Sequence, residues 1–351
     1  MKFTLIKLRL NIASILMMTC ALTACSNEST VAATHNADIT NGAELPVTTS
    51  YHGTASVTQG EATVDIPSLY DCQNGRSSPV GHIKSTDGKT WTVPADVRFT
   101  DTNFPFASDL NNPCTGAAYS SASEALDALD PSDIIEIDAD GDVITAYVFT
   151  DNYFEMYVNG IPVGKDNVPF TQFNSNILQF QVTKPFTVAM KLVDWEENSG
   201  IGSEQNRNNA YHAGDGGMVA VFKDANNHII AKTDENWTAQ TFYSAPIRDL
   251  SCAIEQGTLR LTTECSTEAR DDGSQAYALH WELPRYWYIE EFDDSAWPNA
   301  TVFTNDDIGV NNKSAYTDFV DIFDSPEDDA RFIWSSNVIL DNEVIVRHTV
   351  N

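Results

Sequence analysis

The densest mixture of acidic, aromatic and imidazole side chains in this sequence lies between residues 194 and 215. It opens with Asp194-Trp195-Glu196-Glu197 and closes with His212 and Asp215. An indole ring can stack on the apolar face of a sugar, while neighbouring carboxylates accept hydrogen bonds from the sugar hydroxyl groups. The pattern therefore predicts a ligand site that contains Trp195, Glu197, His212 and Asp215.

Three alternatives stay open for the same segment. Its carboxylates could bind Ca²⁺, they could line a solvated acidic surface, or Trp195 could be tucked under the loop as part of a small core. Glycoside hydrolysis needs two carboxyl groups that face one bond. Glu196 and Glu197 are sequence neighbours, which point to opposite faces of a strand, so they make a poor catalytic pair.

A second group of carboxylates, Asp138, Asp140 and Asp142, is spaced along a predicted turn. Oxygen ligands at such spacing could hold Ca²⁺, the cofactor that the sequence suggests most readily. The EF-hand pattern needs its glycine later than Gly141 and also a distal glutamate. The sequence therefore favours a solvated turn over a metal site.

The sequence contains no established catalytic motif. It lacks His-Glu-x-x-His, Gly-x-Ser-x-Gly, Ser-x-x-Lys and a phosphate-binding glycine loop. Its histidines are scattered, so a copper or zinc site would have to be assembled in space from His52, His82, His212 and His280. A binding protein is favoured, and an extracellular hydrolase with catalytic residues in 51–130 remains the alternative.

Four cysteines lie in the body of the chain, and they predict two disulfides in an exported protein. Four thiols allow three pairings, and the pairing between cysteines that are close in sequence is favoured. It joins Cys72 to Cys114 and Cys252 to Cys265. A zinc site is the weaker reading because no two of these cysteines have the C-x-x-C spacing.

The N-terminus has the layout of a secretory signal, with basic residues followed by an uncharged, largely apolar stretch. Leu22-Thr23-Ala24-Cys25 resembles the bacterial lipobox. The resemblance implies a signal peptide at 1–24, acyl chains on Cys25, and passage to the outer membrane because Ser26 follows. Residues 25–50 are then a lipidated flexible tether, without aromatic residues. An ordinary signal with a chance cysteine is the alternative.

Composition limits the partners. The chain has 351 residues, of which 42% are hydrophobic, so it can bury a large core. Its 50 acidic and 20 basic residues give a net charge of −30, which repels nucleic acid and anionic lipid head groups. Nucleic acid is therefore excluded as an expected partner, and membrane contact is expected only through the lipid anchor.

Short β-branched and aromatic runs between turn signals predict an all-β fold. Two hairpins are expected: one joins residues 134–137 to 143–149 through Asp140-Gly141, and one follows residues 154–158 at Asn159-Gly160. Residues 121–129 predict a short helix. Further strands are predicted at 89–93, 96–99, 177–182, 186–193, 218–222, 228–232, 331–334 and 344–348.

The later part of the chain resembles the galactose-binding-like jelly-roll domains. The resemblance is carried by residues 151–160, by the D-x-x-W element at 234–237 and by Phe-Asp-Asp-Ser-Ala-Trp-Pro at 292–298, in the family's order over 133–351. It implies a galactose-binding-like jelly-roll β-sandwich, which serves as a sugar-binding module, a glycosidase accessory or an interaction domain. Residues 51–132 depart from the pattern and are predicted to form a small, cysteine-containing β/loop region.

These observations together predict an exported, membrane-anchored outer-membrane lipoprotein that acts as a binding module for a glycan or a small ligand. The alternatives are an extracellular hydrolase acting on glycans and a structural partner in a surface assembly. The choice between the periplasmic and the cell-surface face of the membrane stays open.

Overall fold

The structure, a computed structural model, describes residues 51–205, 210–268, 275–326 and 329–351. All of these residues belong to one compact unit. The predicted signal peptide, the tether and Cys25 lie outside the described residues. In the described ranges, no helix combines the length and the apolar character that crossing a membrane requires.

The described residues are mostly β-structure. The strands are β1 (Ser56–Gln59), β2 (Thr63–Ile66), β3 (Val80–Lys84), β4 (Thr90–Val93), β5 (Ser108–Asn112), β6 (Ala117–Ala118), β7 (Ile135–Glu136), β8 (Asp142–Asp151), β9 (Tyr153–Val158), β10 (Ile161–Lys165), β11 (Ser175–Val182), β12 (Phe186–Val193), β13 (Gly217–Lys223), β14 (Ile229–Lys232), β15 (Thr238–Ile247), β16 (Ile254–Gln256), β17 (Leu259–Leu261), β18 (Tyr277–His280), β19 (Thr301–Phe303), β20 (Phe332–Trp334) and β21 (Asp341–Val350).

The helices are short. They are α1 (Ala122–Asp127), α2 (Asn305–Ile308), α3 (Ser314–Thr317) and α4 (Val320–Phe323), with single 3₁₀ turns at Pro131–Asp133, Leu250–Cys252 and Val310–Asn312. The α1 helix confirms the predicted helix at 121–129, and Ser121 caps it by accepting a hydrogen bond from the Glu124 amide.

Two large sheets form the sandwich. One has seven strands in the order β1-β18-β15-β21-β12-β9-β10. The other has nine strands, with the path β19-β20-β13-β8-β11-β5-β6, while β14 pairs with β13 and β7 pairs with β11. There are also two small sheets, one formed by β2, β3 and β4 and the other by β16 and β17. The predicted all-β sandwich is confirmed.

Both faces of each large sheet are covered, which explains why the central strands are apolar at nearly every position. Every residue of β12 and of β13 is buried. Alternate residues of β12, such as Met190, join the core between the sheets, whereas Ala189 joins a second cluster on the outer face. Residues of α3 and α4 cover the outer face of the nine-stranded sheet.

The segment with the Phe-Asp-Asp-Ser motif covers the outer face of the seven-stranded sheet. Phe292 and Trp297 meet edge to face at 5.4 Å, and both belong to the outer cluster. Asp294 accepts hydrogen bonds from Thr238 Oγ1 at 2.8 Å and from Arg347 Nε at 3.1 Å. This motif therefore joins the outer layer to β15 and β21.

The Asn159-Gly160 hairpin is confirmed: β9 and β10 pair around it, and both turn residues have positive φ, 48° and 82°. The hairpin predicted at 134–149 is wrong. Strand β7 pairs in parallel with β11, and β8 pairs with the other edge of β11, so the Asp-Gly turn crosses the end of that strand. The predicted strand at 96–99 is also absent, since these residues are irregular.

Residues 51–132 contribute to both sheets of the sandwich. Strand β1 pairs with β18, where Ser56 lies opposite His280, and β5 pairs with β11. The two predicted disulfides are confirmed, with Cα–Cα distances of 5.1 Å for Cys72–Cys114 and 5.0 Å for Cys252–Cys265.

Candidate binding cleft

The candidate site lies at one end of the sandwich, where several strand ends meet. The register places Ser175, the first residue of β11, opposite Phe149, and Gly217, the first residue of β13, opposite Asp151. Strand β12 ends at Val193, and the Asp194 amide then donates to the Asn342 carbonyl at 2.9 Å. The segments that enter and leave these strands therefore share this end.

A cleft of about 470 Å³ opens between these segments. Charged and amide side chains predominate among the residues around it, with one aromatic ring. It is lined by Asn74, Arg76, Pro113, Thr171, Gln172, Phe173, Glu204, His212, Asp215, Asn312, Lys313 and Ser314. This composition resembles a polar binding site more than a structural void.

Arg76 forms one side of the cleft and is held from three directions. Its Nη1 lies 2.6 Å from Glu204 Oε2, its guanidinium carbon lies 4.1 Å above the centre of the Phe170 ring, and its amide donates to Thr171 Oγ1 at 3.1 Å. The Cys72–Cys114 disulfide fixes the segment just before it. Arg76 is therefore a positioned cation.

Lys313 also lines the cleft and immediately precedes α3. Its Nζ lies 4.0 Å from the centre of the Phe173 ring, and that ring stacks on Phe149 of β8. The sheet therefore supports the aromatic ring, and the ring in turn attracts the ammonium group through its π-electron face.

Glu204 and His212 face each other across a short backbone bridge. The Glu204 amide donates to the His212 carbonyl at 2.7 Å, and the His212 amide donates back at 3.0 Å. His212 Nε2 then lies 3.6 Å from Glu204 Oε2. The backbone thereby places an imidazole beside the carboxylate that pairs with Arg76.

Two more carboxyl groups, those of Asp151 and Asp194, are buried near the cleft, each with a residue exposure of 4%. Gly214 packs against one of them: a Cβ at this position would lie 3.1 Å from Asp194 Oδ2 and 3.3 Å from Glu204 Oε1. A side chain at residue 214 would therefore displace these carboxylates.

Burial and mutual repulsion raise the pKa of these acids. Burial, with the charge of Glu204 next, raises the pKa of Asp215 to about 6. Burial also raises the pKa of Glu204, against the opposing effect of Arg76. The pKa values of Asp151 and Asp194 lie well above the usual range, first because of burial and then because of neighbouring carboxylates. Acids with shifted pKa values are common in functional sites.

Of the residues that the sequence singled out, His212 and Asp215 line the cleft and Glu197 lies beside it, with Arg76 Nε at 3.8 Å. Trp195 is placed elsewhere. It is 1% exposed, meets Tyr153 edge to face, and donates from Nε1 to the Pro79 carbonyl at 3.0 Å. Its ring cannot stack on a ligand in this position. Trp195 instead belongs to a small core under the loop, which was one of the alternatives for this segment.

Sequence reasoning missed Arg76, Lys313, Glu204 and Asp151 as members of this site. Arg76 is 128 residues from its partner Glu204, and no local pattern links them. Asp151 was visible only as the start of the motif at 151–160. A buried acid at the end of an apolar strand is the one signal that could have identified it.

The other predicted metal candidates do not come together. Asp138 Oδ2 accepts hydrogen bonds from the amide and the hydroxyl of Thr183, at 3.0 and 2.6 Å, while Asp140 and Asp142 are exposed. Within the described ranges, no three or more His, Cys, Asp or Glu side chains are arranged to hold a metal ion. The predicted Ca²⁺ site at this turn therefore gains no support.

The histidines are dispersed as well. His280 is buried, stacks on Tyr243 and Trp91, and has its Nε2 2.8 Å from Thr58 Oγ1. His52 and His82 are exposed. Of the four histidines considered as copper or zinc ligands, only His212 lines the cleft.

Comparison of the chain with protein-family models, with curated proteins and with solved structures gave no match. The galactose-binding-like resemblance therefore stays a prediction from sequence motifs, and the site is interpreted from its own geometry.

Proposed function

We propose that this protein is an exported, lipid-anchored binding module whose cleft at the sandwich end binds a glycan or another small polar ligand. The observation that carries the proposal is the juxtaposition of two cations, Arg76 and Lys313, with Glu204 and Asp215 around one cleft. Such a lining offers both hydrogen-bond donors and acceptors, which is what a polyhydroxylated ligand needs.

The size of the cleft supports this class of ligand. Its volume of about 470 Å³ lies within the range of roughly 300–1,000 Å³ that is typical of small-molecule sites. Its lining residues come from distant parts of the chain, so the complete fold is needed to build it. Calorimetric titration and a glycan array, both with the chain that starts at Ser26, test the proposal. Failure of every glycan to bind would contradict the glycan as the ligand of this cleft.

The anchor is the second part of the proposal. The lipobox resemblance predicts acyl chains on Cys25, and each buried methylene group stabilises membrane attachment by about 0.8 kcal/mol. We expect Cys25→Ala to abolish incorporation of a labelled fatty acid, because the thioether requires the thiol. Cys20→Ala, in the same leader, is the matched control and should retain the label. Equal labelling of Cys25→Ala and wild type would refute the anchor.

A hydrolase is the second candidate function, and one observation favours it. Glu204 and Asp215 line the same cleft, and both have raised pKa values. A protonated acid near a second carboxylate is the arrangement that general acid–base cleavage of glycosides uses. Release of reducing ends from a bound glycan, abolished in Glu204→Gln and Asp215→Asn, would favour the enzyme. Binding without turnover favours the binding module.

A further inference from the structure

We infer that the β16–β17 hairpin lies on the lipid bilayer to which the proposed anchor attaches the chain, with the side chains of Ile254 and Leu259 in the interfacial layer. This inference rests on the proposed anchor and adds the orientation of the folded body on the membrane. Three observations carry it: the inverted pattern of the hairpin, its uncharged outer face, and the point at which the tether joins the body.

The hairpin turns its charged side chains towards the body of the protein. Glu255 of β16 lies directly opposite Arg260 of β17, so the two side chains point to the same face. The Glu255 carboxylate accepts hydrogen bonds from the Tyr51 hydroxyl and from the Thr54 amide. The guanidinium carbon of Arg260 lies 4.7 Å from the centre of the Phe242 ring, in the outer cluster of the seven-stranded sheet. The charged face is therefore the one that packs on the body.

The outer face of the hairpin carries aliphatic side chains instead. Ile254 lies opposite Leu261, and Gln256 lies opposite Leu259, so these four residues share the face that points away from the charged pair. Ile254 is 49% exposed and Leu259 is 37% exposed. A hairpin that only covers a sheet is expected to turn apolar residues inwards and polar residues towards water. The inversion therefore indicates that the outer face meets a partner other than water.

The exposed part of the hairpin segment has no charge, although the chain as a whole is strongly acidic. Between Asp249 and Glu264 the sequence has no charged residues besides the inward pair, so every exposed residue from 250 to 263 is uncharged. The whole chain has a net charge of −30, which repels anionic head groups from most of its surface. It also opposes contact with a second copy of the chain. An uncharged apolar patch is the kind of surface with which such a protein can lie on a bilayer.

The tether joins the body at this hairpin. Residues 25–50 separate the proposed anchor from Tyr51, and the Tyr51 hydroxyl donates to Glu255 of β16. A flexible tether of this length has a root-mean-square extension of roughly 25–30 Å, so an anchored body keeps this side near the lipid. The bilayer is then present at a high effective concentration beside the hairpin. A two-stranded hairpin is marginally stable alone, and the Cys252–Cys265 disulfide encloses this one and supports its shape.

The test measures how close the hairpin lies to the lipid in the full acylated chain. A fluorescent dye is attached at Gln256→Cys, on the outer face, or at Ala225→Cys, an exposed position in the turn between β13 and β14. The protein is reconstituted into vesicles of phosphatidylcholine and phosphatidylethanolamine that contain a spin-labelled lipid as quencher. We expect quenching at residue 256 to be at least about threefold stronger than at residue 225, because an interfacial side chain lies within the head-group region.

Variants locate the contact in the two aliphatic side chains. Ile254→Gln combined with Leu259→Gln should reduce quenching of the dye at residue 256 to the level at residue 225. The melting temperature should not change, because both side chains are exposed. Val302→Gln combined with Val320→Gln, at positions 37% and 44% exposed, is the matched control and should retain the quenching. Quenching that persists in the hairpin variant would contradict the role of Ile254 and Leu259.

The outcomes separate this inference from the anchor on which it rests. Equal quenching at the two dye positions, in a protein that is acylated and floats with the vesicles, would overturn the inference and leave the anchor intact. A protein that carries no acyl chain and does not float would overturn both. Emission of the dye at residue 256 that rises with protein concentration, in the mature chain without acyl groups or vesicles, would assign the outer face to a second copy and overturn the membrane contact.

Discussion

Neighbouring residues of one acidic motif have different environments in this protein. Trp195 belongs to a small core with Tyr153, and Glu196 is buried against Tyr243, while Glu197 lies beside the cleft at Arg76. The sequence singled out the segment from 194 to 215, and three of its predicted residues, Glu197, His212 and Asp215, lie in or beside the cleft. It could not show which side chains turn inwards, because no regular strand sets an alternation there.

The first prediction separates the core residue from the cleft residue. We expect Trp195→Ala to lower the free energy of unfolding by about 3–5 kcal/mol, because it leaves a cavity under the loop. His212→Ala should unfold like wild type, since 48% of its side chain is exposed, but it should bind the cleft ligand more weakly. Urea unfolding and ligand titration measure both effects. A Trp195→Ala protein of normal stability with reduced binding would instead make Trp195 a ligand contact.

The second prediction concerns pH. Glu196 is 1% exposed and accepts hydrogen bonds from the Gly200 amide at 2.6 Å and from the Tyr243 hydroxyl at 3.1 Å. Burial nevertheless raises its pKa to about 8. The folded state therefore retains a proton that the unfolded chain loses near pH 4.3, about the usual glutamate pKa. The contribution of Glu196 to stability is fully present below about pH 4.3 and is lost as the pH rises from there through about 8.

Burial also raises the pKa values of Asp166, to about 7, and of Asp341, to about 6, so they contribute with the same sign. We expect the melting temperature to fall as the pH rises from about 5 to about 8. Glu196→Gln should flatten the upper part of this curve, because glutamine does not ionise. Asp249→Asn, at an exposed acid with a lowered pKa, is the control and should retain the slope. If the melting temperature of Glu196→Gln falls with pH as steeply as that of wild type, another group causes the pH dependence.

At the scale of elements, local signals identified the strands better than their pairing. The eight residues of β12 were predicted in full, and the hairpin turn at Asn159-Gly160 was predicted together with the strand before it. The hairpin at 134–149 failed because an Asp-Gly turn specifies a reversal of the chain but not the partner strand. In the structure β11 lies between β7 and β8 and takes the hydrogen bonds of both.

The third prediction concerns the β9–β10 turn. Gly160 has a φ of +82°, and a Cβ there would lie 3.1 Å from Ile289 Cγ2. Gly88 has a φ of +88° with nothing within 4 Å of such a Cβ, so Gly88→Ala isolates the backbone strain. We expect Gly88→Ala to cost about 1–2 kcal/mol of unfolding free energy, and Gly160→Ala about 1 kcal/mol more. If both variants lose the same unfolding free energy in denaturant, the Ile289 side chain can move away from the new Cβ without a loss of stability.

At the scale of the whole molecule, the two disulfides have different relations to the cleft. Cys72–Cys114 closes a sequence separation of 42 and joins two segments that line the cleft, around Arg76 and Pro113. Cys252–Cys265 closes a separation of 13 around β16 and β17. The sequence predicted both pairings from proximity, but only the fold shows which one supports the site.

The fourth prediction follows from this difference. Replacing Cys72 and Cys114 by serine should lower the free energy of unfolding by about 4 kcal/mol, and replacing Cys252 and Cys265 by about 3 kcal/mol. Only the first double variant should also weaken ligand binding at temperatures where it is folded, because its Arg76 segment loses an anchor. Unchanged binding in that variant would show that the hydrogen bond from the Arg76 amide to Thr171 suffices.

The position of β21 has a consequence for the order in which the molecule assembles. Residues 341–350 form a central strand of the seven-stranded sheet, with β12 on one side and β15 on the other. The two halves of that sheet have no common partner until these residues have been synthesised. The two halves of this sheet therefore cannot join before residues 341–350 are available to pair with both. Pairing between strands so far apart in the chain slows folding and prolongs the exposure of the apolar strands to chaperones and proteases.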